Sequence, residues 1–185
     1  IDEVKQYCSE LKTVRISKVN QLVNLASAVF SNEPLQAAYF YQSSAQKQVN
    51  LCIEDWKPDA IYCQLIRTAK YVENVTDIPK VIDFQDAFSK GIERRLETEP
   101  WYWRPILNSE LKRLNRYEQQ VFNQFNHCTI ISEQDRDQLP FGQRSEVVIV
   151  RNGVELEDFK PSSEEKSVDV LFAGNMGYPP NVEAA

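Results

Sequence analysis

The sequence predicts an α/β fold in which helices flank a parallel, Rossmann-like sheet. Short apolar runs of strand length alternate with longer segments whose apolar residues recur at helical spacing. The run over residues 60–63 is continuously apolar, which is typical of a parallel strand covered on both faces. Strands that alternate with helices are joined by right-handed crossovers, so the sheet is expected to be parallel throughout.

The N-terminal part of the chain contains a predicted short helix over 2–11 and a predicted short strand over 13–16. From Asn20 onwards, apolar residues lie on one helical face, which predicts an amphipathic helix. Pro34 ends this pattern, and the aromatic-rich residues 35–41 fit either a helix or an extended segment.

Two strands are predicted in the middle of the chain, over 60–63 and 80–84. Ser43 and Gln46 have the spacing of a capping box, in which the first side chain accepts an N–H of the first helical turn. The helix that they begin is expected to end before Pro58, because proline cannot continue a helix. A loop and a short helix then connect the two strands.

Two helices and two further strands follow. The first helix is predicted over 88–96, and Pro105 suits the first position of the second, where its missing N–H would have no partner. At 1.5 Å per residue this second helix would span about 33 Å and cross a face of the sheet. Strands are predicted over 128–131 and 147–150, with Ser132 capping the helix between them.

The last part of the chain predicts a domain boundary. Asn152 and Gly153 could form a hairpin turn, but the following residues are too polar for a second strand, which favours a hinge. An apolar run over 168–173 predicts a strand, followed by a glycine loop and a helix start near Pro179. The predicted units are a Rossmann-like domain, a linker and the start of a second domain, over residues 1–152, 153–166 and 167–185.

Composition and charge exclude several classes of protein. With 42% hydrophobic and 26% charged residues, the chain has the composition of a soluble globular protein. Its formal charge of −6 argues against a dedicated nucleic-acid binder. No apolar run approaches the roughly 18 residues that a membrane span needs, and the N-terminal residues lack the pattern of a signal peptide. The 4 cysteines have no C-x-x-C spacing, which predicts reduced thiols in a cytoplasmic protein rather than disulfides or zinc ligands.

Three phrases near the C-terminus carry a resemblance to a known family: IISEQDRDQL, VVIVRNGVELEDFKP and VDVLFAGNMGYPPNVEAA. Their order and spacing resemble the domain junction of retaining glycosyltransferases of the GT-B fold. The resemblance is greatest to the family-four group, which includes sugar transferases of exopolysaccharide clusters. Glu155 stands where that family usually has Asp. A fainter similarity extends upstream to about Pro34.

The resemblance implies the transfer of a sugar from a nucleotide-sugar donor to a hydroxyl acceptor, with retention, in bacterial polysaccharide or glycoconjugate synthesis. The acceptor, a sugar or a lipid-linked molecule, would bind to the domain over 1–152, and neither a cofactor nor a metal would be needed. The chain would then be a fragment, inactive alone, of a cytoplasmic enzyme that touches the inner membrane face. Two alternatives remain open: a nucleotide-sugar epimerase of the same architecture, and a non-catalytic binding module with a flavodoxin-like sheet.

The first candidate site follows the strand over 80–84, because ligands of doubly wound sheets bind at the carboxyl ends of strands. The resemblance places this strand end beside the interdomain cleft, although Gln85 and Asp86 stand where many relatives have a histidine. Asp86 is the predicted catalytic group if desolvation raises its pKa. Alternatively, Asp86 or Ser89 only caps the next helix. The residues predicted to bind the acceptor are Asp83, Gln85, Ser89 and Arg94.

The second candidate site is the loop of Gly174, Asn175 and Met176. Backbone N–H groups before a helix can hold a diphosphate, and in the resembled family this loop borders the donor phosphates. Glycine also occupies ordinary turns, so the spacing by itself is a weak indication of a phosphate site.

Trp101, Trp103 and Arg104 belong to a basic-aromatic segment that suits a membrane interface. The alternative is aromatic packing beneath a loop, which the usual burial of indole rings favours. The chain has a single histidine, His127. It precedes the strand over 128–131 and so lies at the end of the sheet opposite the edge where ligands bind. The sequence therefore offers neither a catalytic triad nor a Cys/His metal set.

Overall fold

The computed structural model describes residues 2–157, 160, 170–177 and 181–182. The described part of the chain is α/β, with a four-stranded parallel sheet flanked by helices. The strands lie side by side in the order in which they occur in the sequence: β1 Ile61–Gln64, β2 Lys80–Asp83, β3 His127–Ile130 and β4 Val148–Ile149. In the centre of the sheet, the register places Cys63 beside Ile82 and Ile82 beside Cys128, and all three side chains are buried.

The described helices are α1 Asp2–Lys5, α2 Lys18–Val29, α3 Leu35–Phe40, α4 Ser43–Trp56, α5 Ile66–Ala69, α6 Phe88–Thr98, α7 Arg104–Gln124 and α8 Glu133–Asp137. Short 3-10 turns occur at Lys70–Val72, Trp101–Trp103 and Arg144–Glu146. The chain divides into two compact units, residues 1–152 and 153–185, and the sheet belongs to the first. No described helix combines the length and the apolar character that crossing a membrane requires.

The parallel α/β architecture and the strands predicted over 60–63, 80–84, 128–131 and 147–150 are confirmed, although β4 is shorter than expected. The strand predicted over 13–16 is wrong, because this segment has no regular structure. Its apolar residues Val14 and Ile16 line cavities beside α4 and α5 instead of pairing with the edge strand β1. Val14 and Ile16 remain 38% and 50% exposed in these grooves, so their contacts there are only partial.

The strand predicted over 168–173 does not form in residues 170–173, and residues 168 and 169 lie outside the described part. Val170 and Leu171 are largely exposed, so no apolar layer among the described residues of this unit covers them. Residues 181 and 182 are helical, in the region where a helix start was expected, whereas 178–180 lie outside the described residues. Most of the predicted linker over 153–166 is also outside them.

The two predicted capping boxes had different outcomes. At α8 the prediction is confirmed, because the Asp135 backbone N donates to Ser132 Oγ at 3.1 Å. At α4 it is wrong: Ser43 is already helical, and Gln42 stands at the N-cap without a side-chain hydrogen bond to the first turn. The side chain of Gln42 is held instead by α2, since its Oε1 accepts from the backbone N of Ser17.

The long helix α7 runs antiparallel to the strands and supplies much of the core. Leu107, Leu114 and Val121 are buried on one face, as their spacing predicted. Tyr117 Oη donates to the backbone O of Ile66, just after β1, at 3.2 Å. The backbone N of Asn126, just after α7, donates to the O of Lys80, at the start of β2, at 2.9 Å. The N-terminal half of α7 therefore lies at the carboxyl ends of the strands.

Two buried glutamates of α7 hold the first turns of two other helices. The carboxylate of Glu110 accepts from the backbone N of Leu35 at 2.9 Å and of Gln36 at 3.3 Å, at the start of α3. Glu118 Oε1 accepts from the backbone N of Ser89 at 3.2 Å, at the start of α6. Free N–H groups of a first helical turn need acceptors, and here a distant helix provides them.

Candidate functional site

Asp83 ends β2 and organises the chain at the carboxyl edge of the sheet. Its Oδ2 accepts from Tyr62 Oη at 3.0 Å and from Gln85 Nε2 at 2.9 Å, and its Oδ1 accepts from the Gln85 backbone N at 3.2 Å. Asp83 is buried. Partial desolvation of the Tyr62 hydroxyl and its hydrogen bond to Asp83 raise the pKa of Tyr62. The carboxylate of Asp83 therefore orients Gln85, and it presents little surface to a ligand.

The backbone turns sharply after Asp83. Gln85 has a φ of 62°, in the left-handed region, and the backbone N of Asp86 donates to the O of Phe84 at 2.8 Å. Such a conformation costs about 1–3 kcal/mol for a residue other than glycine, and it persists where surrounding bonds enforce it. Here the two hydrogen bonds from Gln85 to Asp83 enforce it, and the turn carries Asp86 out of the strand.

Asp86 lies on the surface, between charged groups from two helices. Partial desolvation raises the pKa of its carboxyl, as does the nearby carboxylate of Asp135, and Arg94 opposes them. The guanidinium of Arg94 is itself held by Gln138, whose Oε1 accepts from Nη2 at 3.0 Å. The fold thus gathers an exposed carboxylate, a second acid and a fixed guanidinium from three segments. This set can accept a hydrogen bond from a hydroxyl group and stabilise a negative charge.

Ser89 is not at the surface. It is buried in the first turn of α6, whose N-cap is Ala87, and neither Asp86 nor Ser89 caps this helix with its side chain. Glu118 takes that role from α7, and burial raises the pKa of this carboxyl to about 7. The predicted contact of Ser89 with an acceptor would need it to be exposed, and the capping alternative is replaced by a tertiary contact.

A polar cavity of about 430 Å³ lies at the carboxyl ends of β3 and β4. Its walls are formed by Ile131, Ser132, Glu133, Gln134, Arg151 and Asn152. Arg151 Nη2 lies 3.8 Å from Glu133 Oε1, so the guanidinium is only loosely paired. Asn152, predicted to be part of a hinge, is the last residue of its compact unit and one wall of this cavity, and Gly153 begins the other unit.

In the second unit, Gly174 and Asn175 form a compact loop. A Cβ atom on Gly174 would lie 3.0 Å from Phe172 Cε1 and 3.1 Å from Asn181 Nδ2, so a larger residue would displace its neighbours. Asn175 Oδ1 accepts from the Gly177 backbone N at 2.9 Å, and the Asn175 O accepts from Asn181 Nδ2 at 3.0 Å. The Gly177 N–H is thus already used, and the phosphate role of Gly174, Asn175 and Met176 stays a prediction.

The aromatic segment between α6 and α7 is exposed, which corrects the interpretation as packing beneath a loop. Trp101, Tyr102 and Trp103 have 78%, 59% and 44% of their surface accessible, and Ile106 is also exposed. We call these four residues the aromatic tip. The rings of Trp101 and Tyr102 pack edge to face, and those of Tyr102 and Trp103 are tilted against each other. The three rings contact one another at the surface instead of packing into the core. Arg104 is the first residue of α7 and lies about 20 Å along the helix from Tyr117. The first turns of α7 therefore project beyond the carboxyl ends of the strands.

His127 is exposed at the amino end of β3, away from this site, as predicted. All four cysteines are free, and burial raises the pKa of Cys128 to about 12, so this thiol is inert at neutral pH. In the described part of the chain, no three His, Cys, Asp or Glu side chains are grouped as metal ligands would be.

The comparisons with known proteins identify no relative. No protein-family model matches the chain, and neither a curated protein nor a solved structure matches it.

Two buried carboxylates that hold the starts of helices were missed in the sequence. Glu110 and Glu118 fall on the same helical stripe as Leu107, Leu114 and Val121. A charged residue on an apolar stripe is the signal that could have found them, because a buried carboxylate needs donors. The sequence could not name the donors, which lie 75 and 29 residues away.

Proposed function

We propose that this chain forms the acceptor side of a retaining glycosyltransferase, which transfers a sugar from a nucleotide-sugar donor to a hydroxyl acceptor. The observation that carries the proposal is the position of Asp86, exposed at the carboxyl edge of a parallel sheet between Arg94 and Asp135. This edge is where doubly wound sheets bind ligands. The phrases IISEQDRDQL and VVIVRNGVELEDFKP, at β3 and β4, resemble those of glycosyltransferases, and this resemblance supports sugar transfer as the reaction.

In this proposal each side chain has a separate task. Asp83 fixes the turn through Gln85, Asp86 accepts a hydrogen bond from the acceptor hydroxyl, and Arg94 balances the charge. A raised pKa brings a carboxyl closer to the pH at which it can exchange a proton with a hydroxyl group. The loop at Gly174, within the second unit, would contact the phosphates of the donor.

In the full-length protein, Asp86→Asn is expected to lower kcat/KM for sugar transfer at least about tenfold, since the amide can neither take a proton nor balance Arg94. Wild type and variant are to be compared with several nucleotide-sugar donors, measuring both transfer and donor hydrolysis. Asp77→Asn, an exposed aspartate before β2 at the opposite edge, is the matched control.

Unchanged transfer by Asp86→Asn would remove the role of this carboxylate. Conversion of the donor to an epimer without an acceptor would indicate an epimerase, and neither hydrolysis nor transfer with any donor would leave a binding module. Each result is distinct, so the assay separates the three functions.

We further propose that the aromatic tip brings the site to a membrane that carries a lipid-linked acceptor. Amphipathic indole and phenol rings beside arginine insert at the level of lipid head groups. The segment between positions 90 and 116 has 7 basic and 4 acidic residues, although the whole chain is acidic. The aromatic tip and Asp86 both lie on the carboxyl side of the sheet, so a lipid-linked acceptor would approach the site from this side.

The double variant Trp101→Ala/Trp103→Ala is expected to lose most of its binding to anionic vesicles, roughly tenfold or more in partition coefficient, because two rings leave the interface. Co-sedimentation with phosphatidylglycerol-containing vesicles measures it. Trp56→Ala removes an exposed indole on α4 and is the control. Equal sedimentation of wild type and double variant, or none by either, would refute the membrane contact.

A further inference from the structure

A second cavity, of about 380 Å³, lies at the carboxyl end of β1, beside the start of α5. Its size falls within the range of about 300–1,000 Å³ that is usual for small-molecule sites. Ile16, Phe40, Ala45 and Leu65 make much of its wall apolar, and no acidic side chain lines it. We call it the β1 cavity. Its polar groups are few, and two of its side chains carry a donor that has no acceptor among the described residues.

The first is the guanidinium of Arg67, which is stacked between two rings. Its Cζ lies 4.4 Å from the centre of the Phe40 ring and 5.0 Å from that of Phe88. No hydrogen bond or ion pair joins this guanidinium to the described part of the chain, and its Nε is buried without an acceptor. Desolvation lowers the pKa of Arg67, and a half-buried charge without a counter-charge is costly.

The second is the amide of Gln42, which is 1% exposed. Its Oε1 accepts from the Ser17 backbone N at 3.4 Å and from Asn20 Nδ2 at 3.2 Å, whereas its Nε2 has no partner. Turning the amide over would bring its NH₂ group against these two donors, so the orientation is fixed. The cavity therefore has a second buried donor that lacks an acceptor.

The backbone of the cavity wall is strained at Leu65. Its φ of 69° and ψ of 141° lie in a region that residues with a side chain rarely adopt. The Leu65 N donates to the O of Asp83 at 2.8 Å, and the Leu65 O accepts from Thr68 N at 3.0 Å. These bonds impose the conformation, and residues held in this way cluster at ligand sites.

From these three observations we infer that the β1 cavity binds a small ligand with an apolar body and one anionic oxygen group, a carboxylate or a phosphate. The anionic oxygens accept hydrogen bonds from Arg67 and Gln42, and the apolar body lies against Ile16, Phe40 and Leu65. Arginine suits this role because its planar guanidinium binds carboxylate and phosphate through two parallel bonds. The inference does not depend on sugar transfer, and binding is measured without a donor.

The test is calorimetric titration of the full-length protein with three probes: hexanoate, hexyl phosphate and hexanol. Both anions, or one of them, are expected to bind at least about tenfold more tightly than hexanol, and their ratio distinguishes carboxylate from phosphate. Arg67→Met, which keeps an unbranched side chain and removes the charge, should abolish this preference. Arg67→Lys keeps a charge without the planar fork and should retain part of it. Arg116→Met removes an exposed charge from α7 and is the control.

Thermal unfolding of each variant shows whether it is folded before titration, and Arg67→Lys serves if Arg67→Met does not fold. Equal binding of hexanol and the two anions by wild type would overturn the inference. An anion preference that survives in both Arg67 variants at the wild-type strength would also overturn it.

Discussion

Raising the pH from about 4 to about 8 should cost about 3 kcal/mol of the free energy of unfolding through Glu118 alone. Burial raises the pKa of this carboxyl from 4.5 to about 7 in the folded state. Between these two values the folded protein binds more protons than the unfolded chain, so stability falls as pH rises. The contribution is fully present below pH 4.5 and is lost once the pH has passed through about 7.

The physical cause is a competition at the start of α6. Hydrogen bonds from the backbone N–H groups of Phe88 and Ser89 favour the ionised carboxylate, but the loss of hydration outweighs them. Glu118 is completely buried, and its Oε2 has no partner in the described part of the chain. A charge placed there at neutral pH is therefore only partly compensated.

Urea unfolding of Glu118→Gln across the same pH range isolates the effect. The glutamine keeps the shape and the acceptor oxygen without a charge, so it should match wild type near pH 4 and exceed it by about 3 kcal/mol near pH 8. Glu97→Gln, on the exposed face of α6, controls for the loss of one carboxylate. Parallel pH curves for wild type and Glu118→Gln would show that Glu118 does not titrate as described.

The second large effect is expected at Glu110, where alanine should lower the free energy of unfolding by about 3 kcal/mol. The change leaves the backbone N–H groups of Leu35 and Gln36 without acceptors and opens a cavity beneath α3. Pro34 precedes this helix and has no side-chain group that could replace the carboxylate. Hydrogen bonds to a charged group are worth more than neutral ones, so the loss is large.

Hydrogen exchange locates the effect of Glu110→Ala, because the amides of Leu35 and Gln36 should exchange about 100-fold faster, with smaller changes in the sheet. Glu110→Gln retains an acceptor oxygen and should lose only about 1 kcal/mol. If alanine and glutamine cost the same, the capping contact would contribute little and the loss would come from packing.

Local patterns in the sequence were sufficient for the elements whose stability is local. The apolar run that forms β1, the proline at the start of α7 and the Ser132 capping box act over at most a few residues, and each was predicted correctly. The same patterns failed where contacts with other elements decided the local structure. Val14 and Ile16 line grooves beside other elements instead of pairing as a strand, and Gln42 took the N-cap position expected for Ser43.

The sequence by itself determined the class of the fold, the order of its strands along the chain and the edge at which Asp83, Gln85 and Asp86 emerge, because periodicity and turn chemistry are written in short segments. Only the tertiary structure decided which groups meet there: Glu118 instead of Ser89 at the first turn of α6, Arg94 and Asp135 beside Asp86, and Arg67 between Phe40 and Phe88. These contacts join residues far apart in the chain, and crossover geometry and helix packing fix them, which no local pattern encodes.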